Sequence, residues 1–69
     1  MDIKVCFTTD DNYAQHMAVS IASILKNAAE EDKIFVYVLD GGVSDEKKDK
    51  IARLNRIKEF YIKYIKVDI

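Results

Sequence analysis

Apolar residues recur along this chain in different rhythms. Ile3, Val5 and Phe7 alternate with Lys4 and Cys6, a period of two that predicts a short strand whose carboxyl end is Thr8 and Thr9. The period then changes. Ala14, Met17, Ala18, Ile21, Ile24, Leu25 and Ala28 recur at three- and four-residue steps and so share one face of an amphipathic helix, expected to run to about Asn27. Asp10, Asp11 and Asn12 lie between the two, and each caps helices well because a short side-chain oxygen accepts from a first-turn N–H. With Asn12 as the cap, Gln15 completes a capping box.

Ile34-Phe35-Val36-Tyr37-Val38-Leu39 is unbroken, β-branched and aromatic, which predicts a strand over Lys33–Leu39 buried on both faces. Asp40-Gly41-Gly42 ends it, since glycine permits backbone angles closed to other residues. Ser44 caps a second helix with Asp45 and Glu46 in its first turn, where negative charge meets the positive end of the helix dipole. Ile51, Leu54 and Ile57 mark the buried stripe of that helix. A third strand is expected from Tyr61 to Ile69, with Ile65, Val67 and Ile69 on one side and Tyr64, Lys66 and Asp68 on the other. The order is βαβαβ, an α/β fold with a three-stranded parallel sheet, two helices and right-handed crossovers.

Two strand orders are open. If the chain steps in one direction, both helices lie on one face and the other is bare, an awkward outcome for a central strand apolar on both sides. In that arrangement the chain is a piece of something larger. If the second crossover returns past the first strand, the helices cover opposite faces. In either case ligands of open α/β sheets settle outside the carboxyl ends of the strands, which points to Thr8–Tyr13 as the ligand site.

With 69 residues the chain has room for one domain at most, and a domain of that size buries only about 60% of its unfolded surface. No proline, repeat or low-complexity linker divides it. Hydrophobic residues at 49% and charged residues at 33% describe a soluble globular protein. The single cysteine, Cys6, excludes a disulfide framework and reads as a small buried thiol in a reducing compartment. No apolar run is long enough to span a bilayer and no signal-peptide pattern opens the chain, so a cytoplasmic location is expected.

Charge is segregated. Residues 1 to 46 hold three lysines against nine acids, and residues 47 to 69 hold eight basic residues against three acids. The basic third is read as a solvated helix face followed by a lysine-dotted strand, since Asp49 and Glu59 interrupt it and no stacking motif accompanies it. A patch for nucleic acid or anionic lipid is the other reading.

The opening Met1–Tyr13, then His16, Val19, Ser20, Ser23, Leu25 and Asn27, and then Val36-Tyr37-Val38-Leu39-Asp40-Gly41-Gly42-Val43-Ser44 resemble the amino-terminal part of glycosyltransferase family 8. These are enzymes similar to bacterial lipopolysaccharide galactosyl- and glucosyltransferases. The resemblance implies a GT-A fold, a Rossmann-like α/β domain that binds a UDP-sugar with manganese or magnesium and transfers a hexose to a glycan or lipopolysaccharide acceptor with retention of configuration. Carried over by position, Thr8 and Thr9 resemble the strand-end residues that line the nucleotide. Asp10 is similar to the carboxylate that accepts from the uracil ring N–H, Asn12 to the residue that bonds the ribose, and Tyr13 to the ring that stacks on uracil. The chemistry of each fits its role.

The family's metal is held by an Asp-x-Asp motif after the third strand together with a later histidine, and this sequence ends before either. Asp10-Asp11 is contiguous and Asp40-Gly41-Gly42 has one acid, so neither supplies that motif. Residues 1–69 therefore read as a single partial domain, the nucleotide-binding segment of a glycosyltransferase, inactive alone and without catalytic or metal ligands of its own. Its expected partners are a UDP-sugar and the remainder of the catalytic domain or a second copy, with no nucleic acid and no transmembrane segment. Simpler roles stand beside these. Asp11 reads as a cap or structural acceptor, His16 as a packing or helix-surface residue, Asp40 as the group ordering the Gly-Gly turn, and Tyr37, Tyr61 and Tyr64 as packing on the sheet. A receiver-like signalling domain fits poorly, because its phosphoacceptor ends the third strand whereas Asp40 ends the second. A non-catalytic interaction module is the remaining alternative.

Overall fold

The computed structural model describes residues 1–67. The elements are β1 (Asp2–Thr9), α1 (Ala14–Asn27), β2 (Lys33–Asp40), α2 (Asp45–Ala52), a short 3-10 turn (Arg53–Arg56) and β3 (Tyr61–Lys66). The expected βαβαβ order is the one observed, and all three strands are parallel. Of the residues expected to extend β3, Asp68 and Ile69 lie outside the described residues.

The sheet takes the stepping order β1-β2-β3. Met17, Ile21 and Leu25 of α1 join Ile51 of α2 and Ile34, Val36 and Val38 of β2 in one core cluster, so both helices cover the same face. Ile3, Val5 and Phe7 on one side and Ile62 and Tyr64 on the other pack at its margins. The opposite face is uncovered. It carries Lys4, Cys6 and Thr8 of β1, then Phe35, Tyr37 and Leu39 of β2, then Tyr61, Lys63 and Ile65 of β3, in register across the sheet. Phe35 and Tyr61 stack there with ring centroids 5.0 Å apart.

This arrangement corrects three expectations. β2 is fully buried only on the helix side, while Phe35, Tyr37 and Leu39 are half-buried. Cys6 is exposed rather than buried, because alternation points it to the uncovered face. Ile57 is 40% exposed and leaves the buried stripe, because the helix tightens at Arg53 and a 3-10 turn advances side chains by about 120° per residue instead of about 100°. Asn55 fixes the change: its Nδ2 donates to the Ala52 carbonyl at 2.9 Å and its Oδ1 accepts from the Phe60 N–H at 3.0 Å, which turns Phe60 into the core.

Ile21 is wholly buried and Val19, two residues earlier, is 65% exposed. Ile21→Ala should therefore cost about 3 kcal/mol, most of the stability of so small a domain, whereas Val19→Ala should change it by less than about 0.5 kcal/mol. Urea unfolding followed by circular dichroism measures both.

Candidate functional site

The carboxyl ends of β1 and β2 lie side by side, with Thr9 paired to Asp40. Beyond them the two turns touch, and glycine at the contact keeps the approach close. The Gly41 N–H donates to the Thr9 carbonyl at 2.8 Å, and a Cβ on Gly41 would sit 3.2 Å from that oxygen. Gly42 follows at φ +124°, a conformation other residues adopt only with strain.

Asp40 organises this turn, as its sequence context indicates. Its Oδ1 accepts from the N–H groups of Val43 at 2.7 Å and Gly42 at 2.8 Å. Its Oδ2 pairs with Lys48 Nζ at 3.0 Å. Asp40 is only 7% exposed, yet the Val43 and Gly42 amides, with Lys48 behind them, hold its carboxyl down to about 2. The same Lys48 ammonium lies 4.6 Å from the centre of the Tyr64 ring. Burial, and then the negative charge of Asp40, push the Tyr64 hydroxyl up, and its oxygen is buried without a hydrogen-bond partner.

The β1–α1 turn is built from Asp10 to Tyr13. The Asp10 Oδ1 accepts from the Tyr13 N–H at 3.0 Å, and the Thr9 hydroxyl donates to the Asp10 carbonyl at 3.0 Å. Asn12 is not the helix cap. The first helical residue is Ala14, Tyr13 holds the cap position without a side-chain bond, and the turn is satisfied by Asp10 instead. This frees the Asn12 side chain, which is exposed, as is the Tyr13 ring at 64%. The ring centroid of Tyr13 lies 6.0 Å from that of His16, tilted by 46°. Asp10, Asn12 and Tyr13 therefore share one short turn. Thr8 and Thr9 adjoin it on opposite faces of the strand, Thr8 exposed and Thr9 buried beneath the turn.

Asp11 accounts for a tie the sequence did not disclose. Its Oδ1 accepts from the Ser44 N–H at 2.9 Å, and its Oδ2 lies 3.3 Å from Lys47 Nζ. The Ser44 hydrogen bonds, and then Lys47, hold the Asp11 carboxyl below its usual range. Ser44 caps α2 as expected, its hydroxyl accepting from the Lys47 N–H.

A cavity of about 370 Å³ opens at the strand ends, lined by Asp40, Gly41, Gly42, Val43, Lys48, Lys66 and Val67. It adjoins the Asp10–Tyr13 turn through Gly41, whose Cβ position is 3.9 Å from the Asp10 Cβ. Among the described residues no three His, Cys, Asp or Glu side chains gather as metal ligands. The oxygens of Asp40 are already taken by two amides and an ammonium, so the manganese or magnesium implied by the resemblance does not fit the donor set present here.

A model of glycosyl transferase family 8 matches residues 4–69. The chain belongs to that family. General stress protein A of Bacillus subtilis (strain 168) is 32% identical over 68 residues, an alignment covering 99% of this chain and 23% of that protein. Galactosyltransferase LgtC, solved in complex with donor and acceptor sugar analogs, is 34% identical and superposes with a TM-score of 0.70 over 99% of this chain and 23% of its own. An active-site mutant of LgtC gives 33% identity and a TM-score of 0.74. The apo structure of the bifunctional glycosyltransferase WbbM gives 25% identity and a TM-score of 0.79, over 97% of this chain and 12% of that one. The chain thus spans less than a quarter of the length of each of these relatives.

The depressed Asp40 carboxyl fixes a pH dependence. A group that ionises near 3.8 when unfolded and near 2 when folded stabilises the fold above the first value and loses that contribution as pH falls toward the second. Stability should drop by about 2 kcal/mol between neutral pH and pH 2 on this account. Asp40→Asn should remove that increment, leaving a flatter stability curve in urea titrations across the acid range.

Proposed function

We propose that residues 1–69 form the nucleotide-binding segment of a retaining hexosyltransferase that uses a UDP-sugar donor and a glycan or lipopolysaccharide acceptor. The observation that carries this reading is the turn at the end of β1, where Asp10, Asn12 and the exposed ring of Tyr13 stand together beside the strand-end cavity. Tyr13 covers the uracil face, the Asp10 carboxylate accepts from the uracil imide N–H, Asn12 bonds the ribose, and Thr8 and Thr9 line the strand end beneath. An exposed aromatic ring is well suited to this, since stacking on a base contributes about 1–3 kcal/mol.

The bond-making step lies outside this segment. The divalent cation, the acceptor and the group facing the anomeric carbon would be supplied by the rest of an enzyme of which this chain matches 23% in LgtC. The uncovered sheet face, with its Phe35–Tyr61 stack, is assigned to packing against that remainder. A cytoplasmic setting suits a nucleotide-sugar donor, and among the described residues no helix is long and apolar enough to cross a membrane.

UDP titrated into the protein should shift the Tyr13 ring resonances and bind more tightly than CDP, whose base has no imide N–H. Tyr13→Ala should weaken UDP about tenfold or more, and Asp10→Asn should narrow the preference for UDP over CDP. Binding by Tyr13→Ala as tight as that of the parent would overturn the stacking role. Tight binding that requires manganese would contradict the assignment of the metal elsewhere.

A further inference from the structure

Lys47 belongs to none of the roles above, yet it is aimed at the nucleotide turn. Its ammonium donates to the Asp11 carbonyl at 2.6 Å and pairs with the Asp11 carboxylate at 3.3 Å. That carboxylate also accepts from the Ser44 N–H. Both the main chain and the side chain of Asp11 are therefore gripped by the start of α2, from residues more than thirty positions away. The neighbouring lysines point elsewhere: Lys48 pairs with Asp40, and Lys50 lies 3.8 Å from Glu46. Asp11 sits between Asp10, whose carboxylate fixes the Tyr13 amide, and the exposed Asn12.

We propose that Lys47 is a positioning residue that holds the Asp10–Tyr13 turn in its ligand-reading shape through Asp11, so that α2 sets the geometry of the nucleotide site without touching the ligand. The role in ligand binding rests on the nucleotide reading above, whereas the hold on the turn does not. Asp11 contributes no group to the base or ribose in this account. Its carbonyl and carboxylate are spent on α2, and fixing the turn before a ligand arrives reduces the ordering cost of binding.

Amide hydrogen exchange and UDP titration, run together on the parent and four variants, test this. Lys47→Met and Asp11→Asn should each speed exchange at the hydrogen-bonded Tyr13 amide by about fivefold and weaken UDP by a similar factor, with Val36 and Val38 unchanged as reporters of an intact sheet. Lys47→Arg, which keeps the charge and donors, should restore both readouts, and Lys50→Met should match the parent. Unchanged exchange in Lys47→Met would overturn the proposal, including the case in which UDP binding still falls, since Lys47 would then act on the ligand directly. If exchange responds as expected but neither the parent nor any variant binds UDP, the hold on the turn stands and the nucleotide reading fails.

Discussion

Two amide hydrogens, those of Gly42 and Val43, converge on one oxygen of Asp40, and the ends of all three strands are arranged around that convergence. The second Asp40 oxygen holds Lys48, which reaches across to the Tyr64 ring on β3. Its main-chain carbonyl accepts from the Val67 N–H at 3.1 Å, and its partner in the sheet is Thr9 of β1. A nearly buried carboxylate would be costly if unpaired. Here it is offset by two amides and an ammonium, and in return it fixes a turn whose glycines permit many other shapes. Because Gly41 rests against the Thr9 carbonyl, the β1–α1 turn inherits its position from the β2–α2 turn.

The segregated charge has a structural explanation of the same kind. Acids concentrated in the first two-thirds meet bases from the last third across the strand ends, as Asp11 with Lys47 and Asp40 with Lys48. Lys58 reaches back similarly, donating to the Glu30 carbonyl at 3.0 Å. The more exposed of these contacts, Asp11–Lys47 and Lys58–Glu30, add little stability individually. The effect of all three is directional: Asp11–Lys47 ties the β1–α1 turn to α2, Asp40–Lys48 ties the end of β2 to α2, and Lys58–Glu30 ties two loops together.

Local rhythm was legible where neighbours in sequence decide the outcome. The period-two run of β1, the helical stripe from Ala14 to Ala28, the Ser44 cap and the Asp40 turn all follow from residues within a few positions of one another. Strand order was not, because it depends on which face the second crossover takes, and the exposure of Cys6 and the half-burial of Tyr37 follow from that choice. The departure of Ile57 and the burial of Phe60 depend on a five-residue side-chain bond from Asn55 that periodicity does not encode. Within the site, Asp10, Asn12 and Tyr13 could be placed on one turn from sequence, but the Asp10–Tyr13 bond displaced Asn12 from the cap. Lys47 could not be found that way, since its partner lies 36 residues distant.

Exposure of the lone thiol gives the molecule a built-in chemical reporter. Cys6 sits midway along the edge strand β1, in register with Tyr37 and Lys63 on the uncovered face of the sheet. A water-borne alkylating reagent reaches sulfur there only while nothing overlies those strands. The labelling rate of one atom thus gauges how much of the time that aromatic surface is occluded, without any engineered tag and whatever the occluding body is.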